Sequence, residues 1–242
     1  MSRPARGAEP APPPMLYAVA CGSPAAGYIG QLVTLAQQAG WEVCVVATPE
    51  GRKFIDAPAL ARQTGHPVRS DYKRPGDRDV VPVADAIVVA PATVNTVNKW
   101  ACGIADTLAL AMLVEGYGLG VPIVAMPYTN AAMAAHPAFR ESLRRLRGWG
   151  VRVLFGDDVL ALPPPGGGAR RAGEFPWQLA LAAIGPPRRV VPPPGPGSRV
   201  GANPVGTGRP GFRVGGAGQP GWRARPAPPT APRPAPAIVR AT

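Results

Sequence analysis

Neutral hydrogen-bonding side chains cluster directly after one strongly apolar segment. Residues 86–90, with the sequence AIVVA, form a run rich in β-branched residues that stops at Pro91, which predicts a buried parallel strand. Thr93, Asn95 and Thr96 follow within six residues of the end of that run. Ligands of open α/β sheets bind at the carboxyl ends of the strands, so these hydroxyl and amide groups are placed to contact a cofactor. Capping of the next helix is the alternative role for these residues.

The first strand–helix turn of the chain offers a second place for chemistry. Residues 16–21 (LYAVAC) predict a strand that is buried on both faces, and residues 22–27 (GSPAAG) form a small-residue turn. Backbone N–H groups at the start of the following helix can bind an anion, and Ser23 adds a hydroxyl there. An ordinary strand–turn–helix connection without a ligand explains the same residues.

Two further polar side chains follow predicted strands. Thr48 comes after a strand at residues 41–47, where it can face a ligand or cap a helix whose first position is Pro49. Asn130 comes after a strand at residues 122–126, and its amide NH₂ can donate to an anion without bringing a competing charge. The alternative for Asn130 is to cap the turn that follows it.

Strand and helix patterns alternate along the chain and predict the elements that position these side chains. Apolar residues at positions 29, 32, 33 and 36 have the spacing of a helix that packs on a sheet, and Gly40 supplies its end. We predict an α/β, Rossmann-like (flavodoxin-like) three-layer sandwich with a central parallel sheet. Its remaining elements are a strand at 151–155 and helices at 54–64, 106–116, 139–146 and 177–184.

The 242-residue chain has a net charge of +12, and most of that charge lies near its C-terminal end. Residues 1–162 contain 15 Lys or Arg and 13 Asp or Glu, whereas residues 163–242 contain 11 Lys or Arg and Glu174 alone. We predict a disordered Pro/Ala-rich arm at 1–14, a domain at 15–184 and a disordered basic Pro/Gly-rich tail at 185–242. Such a tail can bind nucleic acid without specificity, but its few aromatic residues disfavour this role.

Cysteine usage and hydropathy restrict the location of the protein. The three cysteines have no metal-ligand spacing, so we expect reduced thiols, no metal and a cytoplasmic protein. No apolar run approaches the roughly 18 residues of a membrane span, and the proline-rich start does not have the pattern of a signal peptide. We therefore expect no membrane association.

Two ordered motifs resemble those of a known enzyme family. Residues 91–99 (PATVNTVNK), followed by Gly103, Ile104 and Asp106, resemble the PASANT signature of the FMN-binding, homo-oligomeric cysteine decarboxylases. That family includes phosphopantothenoylcysteine decarboxylase and the lantibiotic peptidyl-cysteine decarboxylases. Residues 127–133 (PYTNAAM) are similar to its second signature, Pro-x-Met-Asn-x-x-Met, with a threonine in place of the first methionine. The resemblance covers about residues 16 to 155.

The resemblance implies a function and a set of site residues. It implies FMN as cofactor, a cysteine-containing small molecule or peptide as substrate, and a homotrimer or higher homo-oligomer with the flavin near a subunit interface. A hydride equivalent passes from the substrate to the flavin, and the resulting thioaldehyde loses CO₂. Asn130 and Met133 are the implied substrate-binding residues. The implied cofactor-binding residues are Gly22, Ser23, Thr48, Pro91, Ala92, Thr93, Asn95 and Thr96.

Departures from the family pattern concern the catalytic base. A family histidine upstream of the PASANT strand aligns with Asp77, and the two histidines of the chain are His66 and His136. Asp77 can replace the base if desolvation raises its pKa, or it can be a solvated loop acid; His136 is the other candidate.

The segment at 172–177, which we expect to cover the substrate, lacks the cysteine found there in the coenzyme A-pathway enzymes.

Other functions remain open from the sequence. One is a flavin-binding redox or sensor protein that has lost decarboxylase activity. Another is a flavin prenyltransferase, which shares the fold, although residues 22–24 differ from the glycine-rich start of that family. A non-flavin scaffold is a more distant alternative.

Overall fold

A five-stranded parallel sheet forms the centre of residues 12–73, 76 and 82–190, which are the residues that the computed structural model describes. The strand order is β2-β1-β3-β4-β5, the flavodoxin-like order of a doubly wound sheet. Chain contacts define two units, residues 1–197 and 198–242, and every described residue belongs to the first. The strands are β1 (Met15–Ala20), β2 (Glu42–Ala47), β3 (Ala86–Ala92), β4 (Ile123–Pro127) and β5 (Arg152–Val153).

Helices cover both faces of the sheet and complete the predicted three layers. Successive strand residues face opposite sides, so Tyr17 packs in one apolar cluster and Leu16 in the other. Helices α3, α4 and α6 supply the first cluster, and α1, α2 and α8 supply the second. None of the helices in the described part of the chain is long and apolar enough to cross a membrane. Their bounds are α1 (Gly30–Gln38), α2 (Ala57–Thr64), α3 (Val94–Ala101), α4 (Leu108–Gly118), α5 (Ala131–Ala134), α6 (Pro137–Gly148), α7 (Gly168–Arg171) and α8 (Trp177–Ile184).

The central strand β3 continues through Pro91, where the sequence predicted its end. Pro91 lacks an N–H group, but its carbonyl oxygen accepts a hydrogen bond from Cys21 N–H at 3.3 Å. The next carbonyl, that of Ala92, accepts from Tyr128 N–H at 2.9 Å. The pairing of β3 with β4 shifts register between Val89 and Ala92, which is the kind of irregularity where a strand tolerates proline. Strand β3 therefore reaches the ligand-binding edge with its carbonyl groups paired.

A buried carboxylate at the amino edge of the sheet joins the two ends of the described chain. Asp85 Oδ2 accepts from Met15 N–H and Oδ1 accepts from Val190 N–H, both at 2.8 Å. The residue is only 6% exposed. Residues 185–190, which composition assigned to the tail, therefore include a contact with the domain.

We expect Asp85→Ala to lower the free energy of unfolding by about 2–4 kcal/mol, because two backbone N–H groups lose their acceptor. Urea denaturation followed by circular dichroism measures this change. Asp157→Ala, at an exposed turn, is the matched control and should change stability by less than about 0.5 kcal/mol. Equal effects of the two variants would show that the Asp85 contacts contribute nothing to stability.

Candidate functional site

A cavity of about 590 Å³ opens at the carboxyl ends of strands β1 to β4. In the sheet, β2 lies on one side of β1 and β3 lies on the other, so the strand order reverses between β1 and β3. Doubly wound sheets bind ligands at such a topological switch point. Its volume suits a small organic molecule. Eight residues predicted from the sequence line it: Gly22, Ser23, Thr48, Thr93, Asn95, Thr96, Asn130 and Met133.

Ser23 lies between β1 and a short 3₁₀ helix at Pro24–Tyr28 and contributes an unpaired hydroxyl. The residue is 4% exposed, and its Oγ has no hydrogen-bond partner among the described residues. Leaving a buried hydroxyl unpaired costs about 1–3 kcal/mol. A polar group of a ligand in this cavity would provide the missing partner.

The loops after β1 and β2 pack tightly together and form one wall of the cavity. A Cβ atom at Gly22 would lie 2.7 Å from Glu50 Cβ, and one at Gly51 would overlap the carbonyl oxygen of Ala20. Thr48 Oγ1 accepts from Gly51 N–H at 3.0 Å, so Thr48 stabilises this turn as well as lining the cavity. The helical segment here is a 3₁₀ helix that begins at Gly51 rather than at Pro49, and contact of Thr48 with a ligand stays a prediction.

Helix α3 starts at the cavity and is capped by one of the predicted binding residues. Thr93 Oγ1 accepts from Thr96 N–H at 3.3 Å and lies 3.1 Å from Thr96 Oγ1. Cys21 is fully buried beside these threonines, and burial raises the pKa of its thiol despite the hydrogen bonds to Thr96 and Thr93. Cys21 is thus a neutral, packed side chain behind the cavity wall.

Asn130 has an orientation fixed by helix capping. Its Oδ1 accepts from Met133 N–H at 2.9 Å at the start of α5. Because the oxygen is used in the cap, the amide must present its Nδ2 hydrogens elsewhere, and among the described residues no side chain or backbone group accepts from them. The capped amide therefore offers a hydrogen-bond donor at the cavity. Met133 also lines the cavity and is 49% exposed.

Four predicted site residues lie outside the cavity or outside the described residues. Pro91 and Ala92 do not line the cavity, because both are buried in β3 and their carbonyl groups bond to neighbouring segments. His136 is exposed and outside the cavity; its Nδ1 accepts from Ala138 N–H at 3.1 Å and caps α6. Asp77 lies outside the described residues.

Several lining residues were not predicted as site residues from the sequence. Tyr128 donates to the carbonyl oxygen of Gly168 at 2.5 Å, and burial raises the pKa of its phenol, so the proton stays on Tyr128. This bond brings residue 168 to the cavity, whereas residues 172–177 do not line it: Phe175 and Trp177 are buried in the core. The expectation that segment 172–177 covers a substrate is not supported. The other unpredicted lining residues are Pro24, Pro49, Glu50, Val94, Lys99, Thr107, Leu110 and Thr129.

The two charged residues that line the cavity each have a partner. Lys99 Nζ lies 2.5 Å from Asp106 Oδ2, and Glu50 Oε1 lies 2.7 Å from Lys53 Nζ. The lining is therefore dominated by neutral hydroxyl, amide and apolar groups. Such a surface fits an uncharged ring system better than a highly charged ligand.

The chain belongs to the Flavoprotein family, which matches residues 9–169. The coenzyme A biosynthesis bifunctional protein CoaBC of Thermococcus kodakarensis is 30% identical over 122 residues, which cover 48% of this chain and 30% of that protein. Phosphopantothenoylcysteine decarboxylase of Mus musculus is 32% identical over 118 residues, covering 46% and 57% respectively. The chain thus spans less than two thirds of the length of these curated relatives.

Two solved structures share the fold over most of their length. The FMN-dependent cysteine decarboxylase TvaF from thioviridamide biosynthesis superposes with a TM-score of 0.53 at 27% identity, covering 60% of this chain and 91% of that chain. A His-to-Asn variant of EpiD, complexed with the substrate peptide DSYTC, superposes with a TM-score of 0.52 at 25% identity, covering 58% and 80%.

Proposed function

We propose that this chain binds FMN in the cavity at the ends of β1 to β4 and catalyses the oxidative decarboxylation of a cysteine-containing small molecule or peptide. The observation that carries the proposal is the unpaired, buried Ser23 hydroxyl in a cavity otherwise lined by neutral polar and apolar groups. Similarity to TvaF, described as an FMN-dependent cysteine decarboxylase, and to the EpiD variant complexed with the substrate peptide DSYTC supports the same function.

The described residues fit FMN group by group. Gly22 and Ser23 would hold the phosphate, because the turn after β1 offers backbone N–H groups and a hydroxyl, and the carboxylate of the adjacent Glu50 is ion-paired with Lys53. Thr48, Thr93 and Asn95, together with Thr96, would hydrogen-bond the remaining polar groups. Leu110 and Val94 provide apolar contacts for a ring.

The substrate would bind through Asn130. Its cap to Met133 directs the amide NH₂ away from α5, where it can donate to the substrate carboxylate. The exposed side chain of Met133 would cover apolar parts of the substrate.

When bound, FMN supplies a two-electron acceptor for oxidation of the cysteine side chain, which turns the thiol into a thioaldehyde that loses CO₂. The chain must hold the carboxylate, orient the thiol and accept its proton. Asp77 is our candidate for the proton acceptor, since His136 caps α6 outside the cavity. His136 keeps only a structural role in this proposal.

A second candidate function is FMN-dependent redox or sensing activity without decarboxylation. The observation that favours it is the state of the ionisable side chains around the described cavity: Glu50 and Lys99 are ion-paired, and Tyr128 retains its proton. If Asp77 does not reach the substrate, this set of residues provides no free base. The two functions share the cofactor and differ in their products.

We propose a homotrimer or higher homo-oligomer as the working assembly. Helix α4 is apolar apart from Glu115; its Val114 and Tyr117 are exposed, and the Tyr117 ring lies 5.9 Å from the Trp149 ring. A mostly apolar helix is usually buried, and a second copy would cover these exposed side chains. A cytoplasmic location is proposed because all three cysteines are unpaired. Residues 15–184 are proposed as the flavoprotein domain, to which the contact of Val190 with Asp85 adds the segment up to residue 190.

The direct test is to purify the full chain and record its visible absorption spectrum with and without added FMN. We expect a yellow protein with one FMN per chain, identified by mass spectrometry of the released chromophore. Incubation with peptides ending in cysteine should then remove CO₂ and two hydrogens from the peptide. A colourless protein that takes up no FMN contradicts both candidates, whereas FMN binding without any peptide change selects the second.

A further inference from the structure

The cavity contains a second buried hydroxyl without a partner, that of Thr129. The residue is 8% exposed, lines the cavity, and its Oγ1 makes no hydrogen bond within the described chain. Its neighbours hold it in place: Tyr128 N–H donates to Ala92 O at 2.9 Å, and Ala131 N–H donates to Pro163 O at 3.0 Å. Thr129 therefore has a fixed position and an unused donor and acceptor.

The other deeply placed hydroxyls already have partners. Thr48 Oγ1 accepts from Gly51 N–H, and the Thr96 hydroxyl contacts that of Thr93. Only Ser23 and Thr129, among the described lining residues with buried hydroxyl oxygens, lack a partner. Three other buried polar atoms without a partner, in Trp41, Asn98 and Trp177, belong to residues that do not line the cavity. Ser23 and Thr129 combine an unpaired hydroxyl with a place in the cavity wall, and this combination points to a ligand.

The two positions lie at different places along the sheet edge. Ser23 follows β1 and Thr129 follows β4, with β3 between them. Two strand spacings separate β1 from β4 by about 9–10 Å. A ligand that satisfies both hydroxyls must therefore be elongated, with one polar group near each end.

We propose that the Thr129 hydroxyl donates a hydrogen bond to the polar edge of the isoalloxazine ring of FMN and so contributes to flavin affinity and reduction potential. This inference rests on the proposed function, because it needs FMN in the cavity. With the phosphate held at Ser23, the ring would be the part of FMN that reaches toward β4. The resembling family has methionine at this position, so the contact is a property of this chain rather than of the family signature.

The direction in which a hydrogen bond to the ring changes the reduction potential of the flavin can be predicted. The reduced ring is richer in electrons than the oxidised ring, so a donor stabilises the reduced form more. Removal of the hydroxyl should therefore weaken FMN binding and lower the reduction potential. The bond should also influence the visible absorption bands, because these arise from the ring.

The test compares Thr129→Val, which removes the hydroxyl at nearly constant shape, with Thr129→Ser, which keeps it. FMN titration by fluorescence should show about three- to tenfold weaker binding for Thr129→Val and less than about twofold change for Thr129→Ser. Dye-equilibration potentiometry should give a lower potential for the valine variant only. Thr34→Val, on α1 outside the cavity, is the control for loss of a hydroxyl elsewhere. Thr129→Ala serves if the valine variant does not fold.

The outcomes separate this inference from the function on which it rests. If wild type binds FMN and Thr129→Val matches it in affinity, spectrum and potential, the assignment of Thr129 is overturned while FMN binding stands. If the valine variant loses only affinity for a peptide ending in cysteine, the hydroxyl faces the substrate and the assignment is again overturned. A wild-type protein that takes up no FMN overturns the proposed function and this assignment together.

Discussion

The Asn130→Asp variant is expected to keep its fold and its FMN but to lose about 100-fold or more in decarboxylation rate. Aspartate caps helices as well as asparagine, so the bond to Met133 N–H survives the change. The NH₂ donor is lost, and a carboxylate takes its place beside the substrate carboxylate. A hydrogen bond to a charged group contributes about 1.5–3 kcal/mol, and like-charge repulsion adds to its loss.

Single-turnover assays with a peptide ending in cysteine measure this effect, with the flavin spectrum as a check on cofactor content. Asn130→Ala removes the cap as well as the donor, and should cost about 1 kcal/mol in stability in addition to activity. Asn130→Ser keeps a capping oxygen and is the control for capping alone. An aspartate variant with wild-type activity would show that Asn130 does not bind the carboxylate.

The Gly51→Ala variant is expected to weaken FMN binding at least about tenfold and to lower stability by about 1–3 kcal/mol. The added methyl group would overlap the carbonyl oxygen of Ala20 and press on Thr48 Oγ1 at 3.0 Å. Both contacts belong to the wall formed by the loops after β1 and β2. The backbone cannot rotate away as a flexible side chain can. The loops after β1 and β2 must therefore move apart, and the positions of Gly22 and Ser23 must change.

FMN titration and thermal unfolding of the ligand-free protein measure the two parts of this prediction. Gly118→Ala is the matched control: it lies at the end of α4, where an added Cβ meets nothing within 4 Å. We expect this control to bind FMN as wild type does and to be equally or more stable, because alanine favours helix. Unchanged FMN affinity in Gly51→Ala would show that the cavity does not depend on this close packing.

Local patterns in the sequence were sufficient to predict the strands and the polar residues at their ends. Sequence patterns identified all five strands within two residues of their observed bounds, and helix α8 was predicted at Trp177–Ile184 as observed. The alternatives of capping and binding proved compatible at Thr93 and Asn130, since each caps a helix and also lines the cavity. Capping depends on residues three positions apart, so the sequence alone could indicate it.

Contacts between distant segments could not be predicted in the same way. Tyr128 meets Gly168 across 40 positions, and Val190 meets Asp85 across 105, without any periodic signal to link them. Pro91 was taken as a strand end because proline removes a donor, but the neighbouring segments required only its carbonyl group. His136 was singled out by residue type, whereas its position at the start of α6 gives its ring nitrogen a capping role.

The contacts of Asp85 have a consequence for engineering. Met15 and Val190 meet at this carboxylate, and Arg189 donates to the carbonyl oxygen of Pro12, so both described ends of the domain emerge at the amino edge of the sheet. Ligands approach from the opposite edge. Fusion partners and affinity tags joined at either end therefore leave the entrance clear, and a short linker between residues 190 and 12 would permit circular permutation with new termini in a surface turn.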